Sequence, residues 1–131
     1  MASIFSKIVN GEIPSHKIAE TEDYYAFLDI FPIQKGHTLV IPKVETNRFF
    51  DLEDNDIAGL MVFAKRVAKA IKKTFPCDRV GMTVIGLEVP HAHVHLIPIN
   101  TLQDISFEQP KLKIDHSELV EIASRIKSNL G

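Results

Sequence analysis

Three histidines alternate with apolar residues in the segment 91–97, and this pattern constrains the fold more than any other part of the chain. The segment has the sequence His-Ala-His-Val-His-Leu-Ile. Successive side chains of a β-strand point to opposite faces of a sheet, so a strand here places His91, His93 and His95 on one face. The apolar residues between them then lie on the opposite face, where they can pack into a core: Ala92, Val94 and Leu96.

Three imidazoles on one sheet face favour a functional site over a structural role. A single histidine in a strand is commonly a hydrogen-bonded structural residue, but three polar rings each need partners and add little to packing. Neutral imidazole is a nucleophile, a proton carrier and a metal ligand near neutral pH. Because neighbouring positive charges repel, close approach also disfavours protonation of all three rings.

The composition is that of one globular domain, which we expect to span residues 1–131. The chain has 131 residues, of which 45% are hydrophobic and 24% charged, and its formal net charge is −2. This charge argues against a nucleic-acid partner but allows one nucleotide in a pocket. The single Cys77 excludes an internal disulfide and fits a reducing compartment. Since neither a signal-peptide pattern nor a membrane-length apolar run is present, we expect a cytoplasmic protein without a membrane partner.

Local patterns predict five strands and three helices. Strands are expected over residues 17–20, 24–29, 37–41, 79–85 and 92–97. Helices are expected over 4–10, 54–75 and a carboxyl-terminal stretch, with Ser3 capping the first and Ser117 the last. Without βαβ alternation, these elements indicate an α+β fold with an antiparallel five-stranded sheet, one long packing helix on one face and the histidines on the open face. Residues 1–100 would form the core and 101–131 an extension with the last helix.

Two chemistries fit the histidine cluster. Two histidines two residues apart on a strand are a familiar zinc arrangement, but a zinc hydrolase needs a further ligand, and this segment offers only Glu88 beyond Pro90. The alternative is nucleophilic catalysis, in which one imidazole attacks an electrophilic phosphorus while its neighbours bind phosphate oxygens or move protons. The second is favoured, so neither a metal nor a cofactor is expected.

The segment 91–97 matches the signature of the histidine triad (HIT) family, which the chain resembles in further blocks of matching order and spacing. These blocks cover residues 3–9, 12–14, 26–30 and 36–43. The resemblance extends to about Ile99 and is strongest to nucleotide phosphoramidases and small bacterial HIT hydrolases. It implies a two-fold homodimer in which two sheets pair into a ten-stranded sheet.

The resemblance also implies roles for individual residues. His93 corresponds to the nucleophile that becomes nucleotidylated, with the main-chain carbonyl near His91 accepting from its other ring nitrogen. The residues implied to surround the α-phosphate with it are His95, His91 and His37. Asp29 corresponds to the residue that holds the ribose hydroxyls. The residues that fall where relatives build an apolar slot for the purine, with ordinary core as the alternative, are Ile4, Phe5, Ile8, Phe27 and Ile30. His16 and His116 match nothing in the family and are expected at the surface.

The chain departs from the family at two places. The segment 86–90 lacks the serine of the usual glycine-rich loop, Glu88 is acidic, and Pro90 has no N–H to donate. Structural zinc is not expected, because Ser3, Ser6 and Glu45 stand where some relatives have zinc ligands. We therefore expect a purine nucleotide phosphoramidase or nucleotidyl hydrolase that acts through a covalent His93 intermediate. The alternatives are a catalytically weak nucleotide-binding regulatory module and a histidine-rich metal site.

Overall fold

Five antiparallel strands form the centre of the computed structural model, which describes residues 2–131. The strands are β1 (Lys17–Glu20), β2 (Tyr24–Leu28), β3 (Thr38–Pro42), β4 (Arg79–Thr83) and β5 (Val94–Ile99). They lie in the order β1-β2-β3-β5-β4. The helices are α1 (Ile4–Val9), α2 (Asp54–Thr74) and α3 (His116–Ser128). The α+β class and the five-stranded antiparallel sheet are confirmed. Among residues 2–131, no helix has the length and apolar character needed to cross a membrane.

The two faces of the sheet have different cores, as the alternation of the sequence predicts. Val40 of β3 pairs with Val94 of β5, and both pack with the buried side of α2. Leu39 pairs with His95 and faces the other way, into a smaller cluster that α1 helps to form. The face predicted to be open is therefore partly covered by α1.

The sequence predicts a capping serine at the start of two helices, Ser3 for α1 and Ser117 for α3. The Ser3 side chain accepts a hydrogen bond from the main-chain N–H of Ser6 at 3.0 Å, so the predicted cap of α1 is confirmed. The predicted cap at Ser117 is wrong, because α3 begins at His116 and Asp115 occupies the preceding position. The apolar side of α3 belongs to the same core as α2, so this part of the carboxyl-terminal extension completes the main core.

The last two strands are further apart in sequence than predicted, because β4 ends two residues earlier and β5 begins and ends two residues later. Strand β4 ends at Thr83 and β5 begins at Val94, so His91 and His93 precede the strand instead of lying in it. Pairing fails before Val94, because Pro90 has no N–H to contribute and the Ala92 N–H donates to the carbonyl of Thr46 at 2.7 Å. Of the three motif histidines, only His95 is a strand residue.

A glycine turn leads the chain into β3 beside the histidines. Gly36 has a φ of +93°, and a Cβ at this position would lie 2.7 Å from the ring of Phe75. The His37 N–H donates to the carbonyl of Gln34 at 3.1 Å, so His37 ends this turn and β3 starts one residue later than predicted. Close contact with Phe75 at the end of α2 therefore helps to fix the entry of His37 into the site.

Candidate active site

A cavity of about 350 Å³ lies next to the sheet face that carries His93 and His95. His37 also lines it, together with residues from the β4–β5 connection and from the carboxyl-terminal extension. These three histidines are nearly buried, with exposures of 5% for His93, 8% for His95 and 1% for His37. The structure thus brings one distant histidine together with two of the three in the motif.

His91 lies behind this group and does not line the cavity, contrary to the prediction that all three motif histidines lie on the open face of the sheet. Its side chain is completely buried. One ring nitrogen, Nε2, lies 2.8 Å from the carbonyl oxygen of Pro42, and the other, Nδ1, lies 2.8 Å from Oγ of Ser3. A carbonyl only accepts, so Nε2 carries the proton and Nδ1 accepts from the Ser3 hydroxyl. His91 therefore joins the end of β3 to the cap of α1.

Ser3, Ser6 and Glu45 form a hydrogen-bonded set around this anchor. The Glu45 carboxylate accepts from the main-chain N–H of Ser3 and from the hydroxyl of Ser6, both at 2.6 Å. These hydrogen bonds, that from the Ser3 N–H first, lower the pKa of Glu45 to about 2. Ser3, Ser6 and Glu45, which stand where some relatives have zinc ligands, thus hold the amino-terminal residues against His91. They do so through hydrogen bonds to a Glu45 carboxylate that is ionised at neutral pH.

A main-chain hydrogen bond sets the orientation and tautomer of His93. Its Nδ1 lies 2.7 Å from the carbonyl oxygen of His91, so Nδ1 carries the proton and Nε2 has a free lone pair. Burial is the main cause that lowers the pKa of His93, although the His91 carbonyl and the carboxylates of Asp29 and Glu88 act in the opposite direction. His93 is therefore a neutral imidazole at neutral pH, with the nitrogen lone pair that a nucleophile needs.

His37 and His95 form a second, neutral pair. The Ile33 N–H donates to Nδ1 of His37 at 3.2 Å, so the proton of His37 is on Nε2 and is donated to Nδ1 of His95 at 2.9 Å. His95 must then carry its own proton on Nε2, which leaves this N–H as a donor at the cavity. Burial is the main cause that lowers the pKa of His37 to about 4 and that of His95 to about 3.

Three charged side chains line the cavity: Asp29, Glu88 and Lys111. Asp29 Oδ1 accepts the Phe31 N–H at 2.9 Å, while its Oδ2 lies 3.7 Å from Nε2 of His37. The negative charges of Asp29 and Glu88 both raise the pKa of His93, whereas the positive charge of Lys111 lowers the pKa of His37 and of His95. The site therefore favours positive charge on His93 more than on the other two rings.

The ligand atoms that could share a metal ion are not those of the three motif histidines. Within residues 2–131, the side chains close enough together to bind one metal ion are those of Asp29, His37 and His95, whose ligand atoms lie within 4.8 Å of one another. The hydrogen bond between His37 and His95 uses one nitrogen of each ring. A metal at this position would have to replace that hydrogen bond, so the geometry favours the neutral pair.

The predicted nucleotide-binding residues divide into two groups. Phe5 and Asp29 line the cavity. The other four lie outside its lining: Phe27 is buried in the smaller core, Ile8 packs against that core, and Ile4 and Ile30 are about half exposed. Of the two histidines expected at the surface, His116 is exposed and His16 is half-buried, and their rings pack 5.0 Å apart.

The sequence did not point to Phe107 and Lys111, which also line the cavity. The edge of the Phe107 ring packs on His95, with 4.8 Å between ring centroids, and on His37 at 5.8 Å. Neither residue belongs to a motif, and both follow the end of the resembling segment. An isolated aromatic residue in the polar stretch after β5 was the one available signal.

Comparison with known proteins decides the family. The model of the HIT domain family matches residues 10–102. The chain belongs to the HIT family. An adenosine 5'-monophosphoramidase of Saccharomyces cerevisiae is 45% identical to this HIT protein over 98 residues, which are 74% of this chain but only 62% of the yeast protein.

Two further comparisons extend over nearly the whole chain. An adenosine 5'-monophosphoramidase of Schizosaccharomyces pombe is 36% identical over 132 residues, covering 99% of both proteins. The crystal structure of a HIT-like protein involved in cell-cycle regulation from Bartonella henselae matches with a TM-score of 0.85 and 31% identity, over 98% of this chain and 96% of that one. The similarity to HIT proteins therefore continues through the carboxyl-terminal extension.

The hydrogen bonds predict a definite tautomer for each cavity histidine, which nitrogen-15 NMR of the imidazoles can observe. We expect His93 to carry its proton on Nδ1, and His37 and His95 to carry theirs on Nε2.

Because burial lowers their pKa to about 4 and about 3, His37 and His95 should stay neutral as the pH falls below 6.5, where an ordinary histidine gains its proton. The unfolded chain does gain these protons, so the free energy of unfolding should decrease as the pH falls from 6.5 towards 4. An imidazolium signal from either ring at pH 6 would contradict the assignment.

Proposed function

We propose that this HIT protein is a purine nucleotide phosphoramidase that releases the nucleoside monophosphate, AMP in the first instance, from its bond to an amine. The observation that carries the proposal is the hydrogen bond of 2.7 Å from Nδ1 of His93 to the His91 carbonyl, which leaves Nε2 unprotonated at the cavity. The names of the two fungal relatives, adenosine 5'-monophosphoramidases, indicate the type of substrate.

In the first half-reaction, Nε2 of His93 attacks the α-phosphorus of the substrate. A bond forms between phosphorus and Nε2 while the phosphorus–nitrogen bond to the amine breaks. Its electron pair stays with the amine nitrogen, which carries a proton taken from solvent and leaves as a neutral amine. His93 is then a cationic nucleotidyl-imidazole, whose Nδ1–H still donates to the His91 carbonyl.

In the second half-reaction, water attacks the same phosphorus. The new phosphorus–oxygen bond forms as the bond to Nε2 breaks, and its electron pair returns His93 to the neutral state. The proton lost by the water passes to solvent, and the free monophosphate leaves. Asp29 and Glu88 support the first step, in which His93 becomes positively charged, because their negative charges favour the cationic form of His93.

His95 contributes a hydrogen-bond donor that needs no ionisation. Its Nε2–H is directed by the bond from His37 to Nδ1, and it donates to an oxygen of the phosphate as charge develops there. Because His37 and His95 are both neutral, neither places a second positive charge beside the cationic intermediate on His93. His37 is thus a positioning residue for His95.

The nucleoside is bound at Phe5 and Asp29. Phe5 offers an apolar ring whose centroid lies 5.0 Å from that of His93. The carboxylate of Asp29 can accept hydrogen bonds from two adjacent ribose hydroxyls. Of the remaining apolar candidates, Phe27 and Ile8 support Phe5 from the core behind it.

If His93 is the nucleophile, His93→Ala should lower kcat/KM for an adenosine phosphoramidate by at least about a thousandfold. Mass spectrometry of acid-quenched wild-type protein should detect one added AMP unit on the peptide that contains His93. The matched control is His116→Ala, an exposed histidine outside the cavity, which should keep full activity. A fully active His93→Ala protein would refute the proposal, and tight AMP binding without turnover by the wild type would favour a regulatory module instead.

Asp29→Asn should raise KM by about tenfold or more while changing kcat much less, since hydrogen bonds to a charged acceptor are lost far from the reacting bond. The measurement compares a ribonucleoside substrate with its 2'-deoxy counterpart in both proteins. The wild type should distinguish the two substrates, and the variant should not. Equal losses in kcat and KM, without any dependence on the 2'-hydroxyl, would argue against ribose binding.

We also propose that the protein forms a homodimer through the free edge of β4, giving a ten-stranded sheet. The support is that β4 is an edge strand with apolar side chains exposed on and beyond it: Met82, Val84, Ile85 and Leu87. The opposite edge, β1, is contacted by α3. Cytoplasmic location and the absence of nucleic-acid and membrane partners remain predictions from the sequence.

Sedimentation velocity at micromolar concentration should therefore give the mass of two chains. A charge at the edge should dissociate the dimer, so Met82→Lys is expected to sediment as one chain. Val120→Lys, on the exposed side of α3 and 48% exposed against 52% for Met82, provides the matched control and should remain dimeric. A wild-type protein that sediments as a single chain would exclude this assembly at that concentration.

A further inference from the structure

Phe31 is an aromatic residue of the cavity lining that keeps much of its surface in contact with solvent. It is 58% exposed, whereas Phe5, which lines the same cavity, is 6% exposed. A single exposed apolar residue is ordinary on a protein surface, so exposure alone assigns no role to it. What distinguishes Phe31 is its place, because it lines the cavity beside Asp29, the carboxylate proposed to bind ribose.

The backbone that carries Phe31 is held at two points. The Phe31 N–H donates to Oδ1 of Asp29 at 2.9 Å, a turn in which an aspartate side chain accepts from the main chain two residues on. The Pro32 carbonyl accepts from the Leu112 N–H at 2.7 Å. The proline ring also restricts the backbone of the residue before it. The position of Phe31 at the cavity is therefore set before a ligand binds.

The groups proposed to bind phosphate and ribose are adjacent, as a nucleoside monophosphate requires. Oδ2 of Asp29 lies 3.7 Å from Nε2 of His37, and the ligand atoms of Asp29, His37 and His95 lie within 4.8 Å of one another. A phosphate bound at His93 and His95 thus leaves its ribose beside Asp29. In a nucleotide the base is attached to the carbon next to that of the 2'-hydroxyl. The base therefore contacts residues that neighbour the ribose carboxylate.

Two aromatic residues from separate segments can contact a base at this place. Phe5 comes from α1, and its ring centroid lies 5.0 Å from that of His93. Phe31 comes from the connection between β2 and β3 and is bonded to Asp29 through its main chain. Of the two, Phe31 has by far the larger free surface. Nucleobases stack on aromatic side chains through their ring faces, and a purine offers a larger face than a pyrimidine.

We propose that Phe31 is a specificity-determining residue whose ring stacks on the nucleobase when Asp29 binds the ribose. Stacking covers apolar ring surface that is exposed to water in the free protein, so it stabilises the complex without a hydrogen bond to the edge of the base. Phe31 therefore selects purine over pyrimidine nucleotides by ring area. This inference rests on the nucleotide site of the proposed function and names the residue that selects its base.

The test separates the contribution of the base from that of the phosphorylated ribose. Equilibrium titrations followed by NMR give dissociation constants for AMP, UMP and ribose 5-phosphate, and the measured quantity is the affinity of each nucleotide relative to ribose 5-phosphate. In the wild type this relative affinity should be larger for AMP than for UMP. Phe31→Ala should lower it by roughly five- to fiftyfold for AMP, the range for loss of one base–aromatic stack, and by less for UMP.

Two further variants make the test specific to an aromatic ring at this site. Phe31→Tyr keeps the ring and should keep most of the relative affinity for AMP. Phe50→Ala removes a phenylalanine that is 89% exposed and does not line the cavity, so it should bind all three ligands as the wild type does. Because neither Phe31 nor Phe50 belongs to a core cluster, the thermal unfolding of these variants should stay close to that of the wild type.

The same substitution has a kinetic signature on adenosine phosphoramidates. In Phe31→Ala, KM should rise by about the factor by which AMP binding weakens, while kcat changes much less. The reason is that the base contact is present in both the bound substrate and the transition state.

The outcomes distinguish this inference from the function on which it rests. If Phe31→Ala keeps the relative affinity for AMP while the wild type is labelled on His93, Phe31 is a solvated surface residue, and the inference fails while the phosphoramidase function stands. If Phe31→Ala loses that affinity but the wild type shows neither turnover nor adduct, the base contact stands and the catalytic function fails. Equal weakening of AMP and ribose 5-phosphate would also overturn the inference, because it would reveal a general disturbance of the site. A wild-type protein that binds none of the three ligands would overturn both.

Discussion

The hydrogen bond from Nδ1 of His93 to the carbonyl of His91 is the interaction on which the site depends. It sets the ring orientation, assigns the proton to Nδ1 and so leaves Nε2 with the free lone pair that the proposed nucleophile needs. The bond requires the His91 carbonyl to be held in place, which explains why His91 is buried. Its ring is fixed between the Pro42 carbonyl and the Ser3 hydroxyl. The motif therefore contains one proposed nucleophile, His93, and one structural anchor, His91.

Burial explains how imidazoles this close together can all remain neutral. The pKa of His37, His93 and His95 is lowered mainly by removal from water, and mutual repulsion adds to this for His37 and His95. That burial comes from the fold, because the apolar residues that alternate with the histidines join the core under α2, and the ring of Phe5 from α1 packs against the ring of His93. The apolar residues of the alternating pattern thus help to keep the histidines buried, which lowers their pKa.

Most of the fold could be predicted from local patterns, because strand alternation and helical periodicity record which face of each element is buried. The strand limits were less accurate. Alternation continues through His91 and His93, but the chain there bonds to Thr46 and Val89 and not to a neighbouring strand, so the pattern placed the start of β5 two residues too early. The resemblance to the HIT family supplied Asp29 and His37, which no local spacing connects to the motif. Phe107 and Lys111 were missed because contacts between distant segments leave no periodic trace.

The charged residues of the cavity come from separate segments of the chain. A nucleophile that becomes cationic benefits from nearby carboxylates, and Asp29 and Glu88 provide them. Asp29 lies beside the neutral His37 and His95 pair, with 3.7 Å between its Oδ2 and Nε2 of His37, and Lys111 lines the same cavity. Glu88 in the segment 86–90, unfavourable when considered alone beside a phosphate, is therefore compatible with phosphoryl chemistry, because its charge favours the cationic form of His93 and a separate segment brings Lys111 to the same cavity.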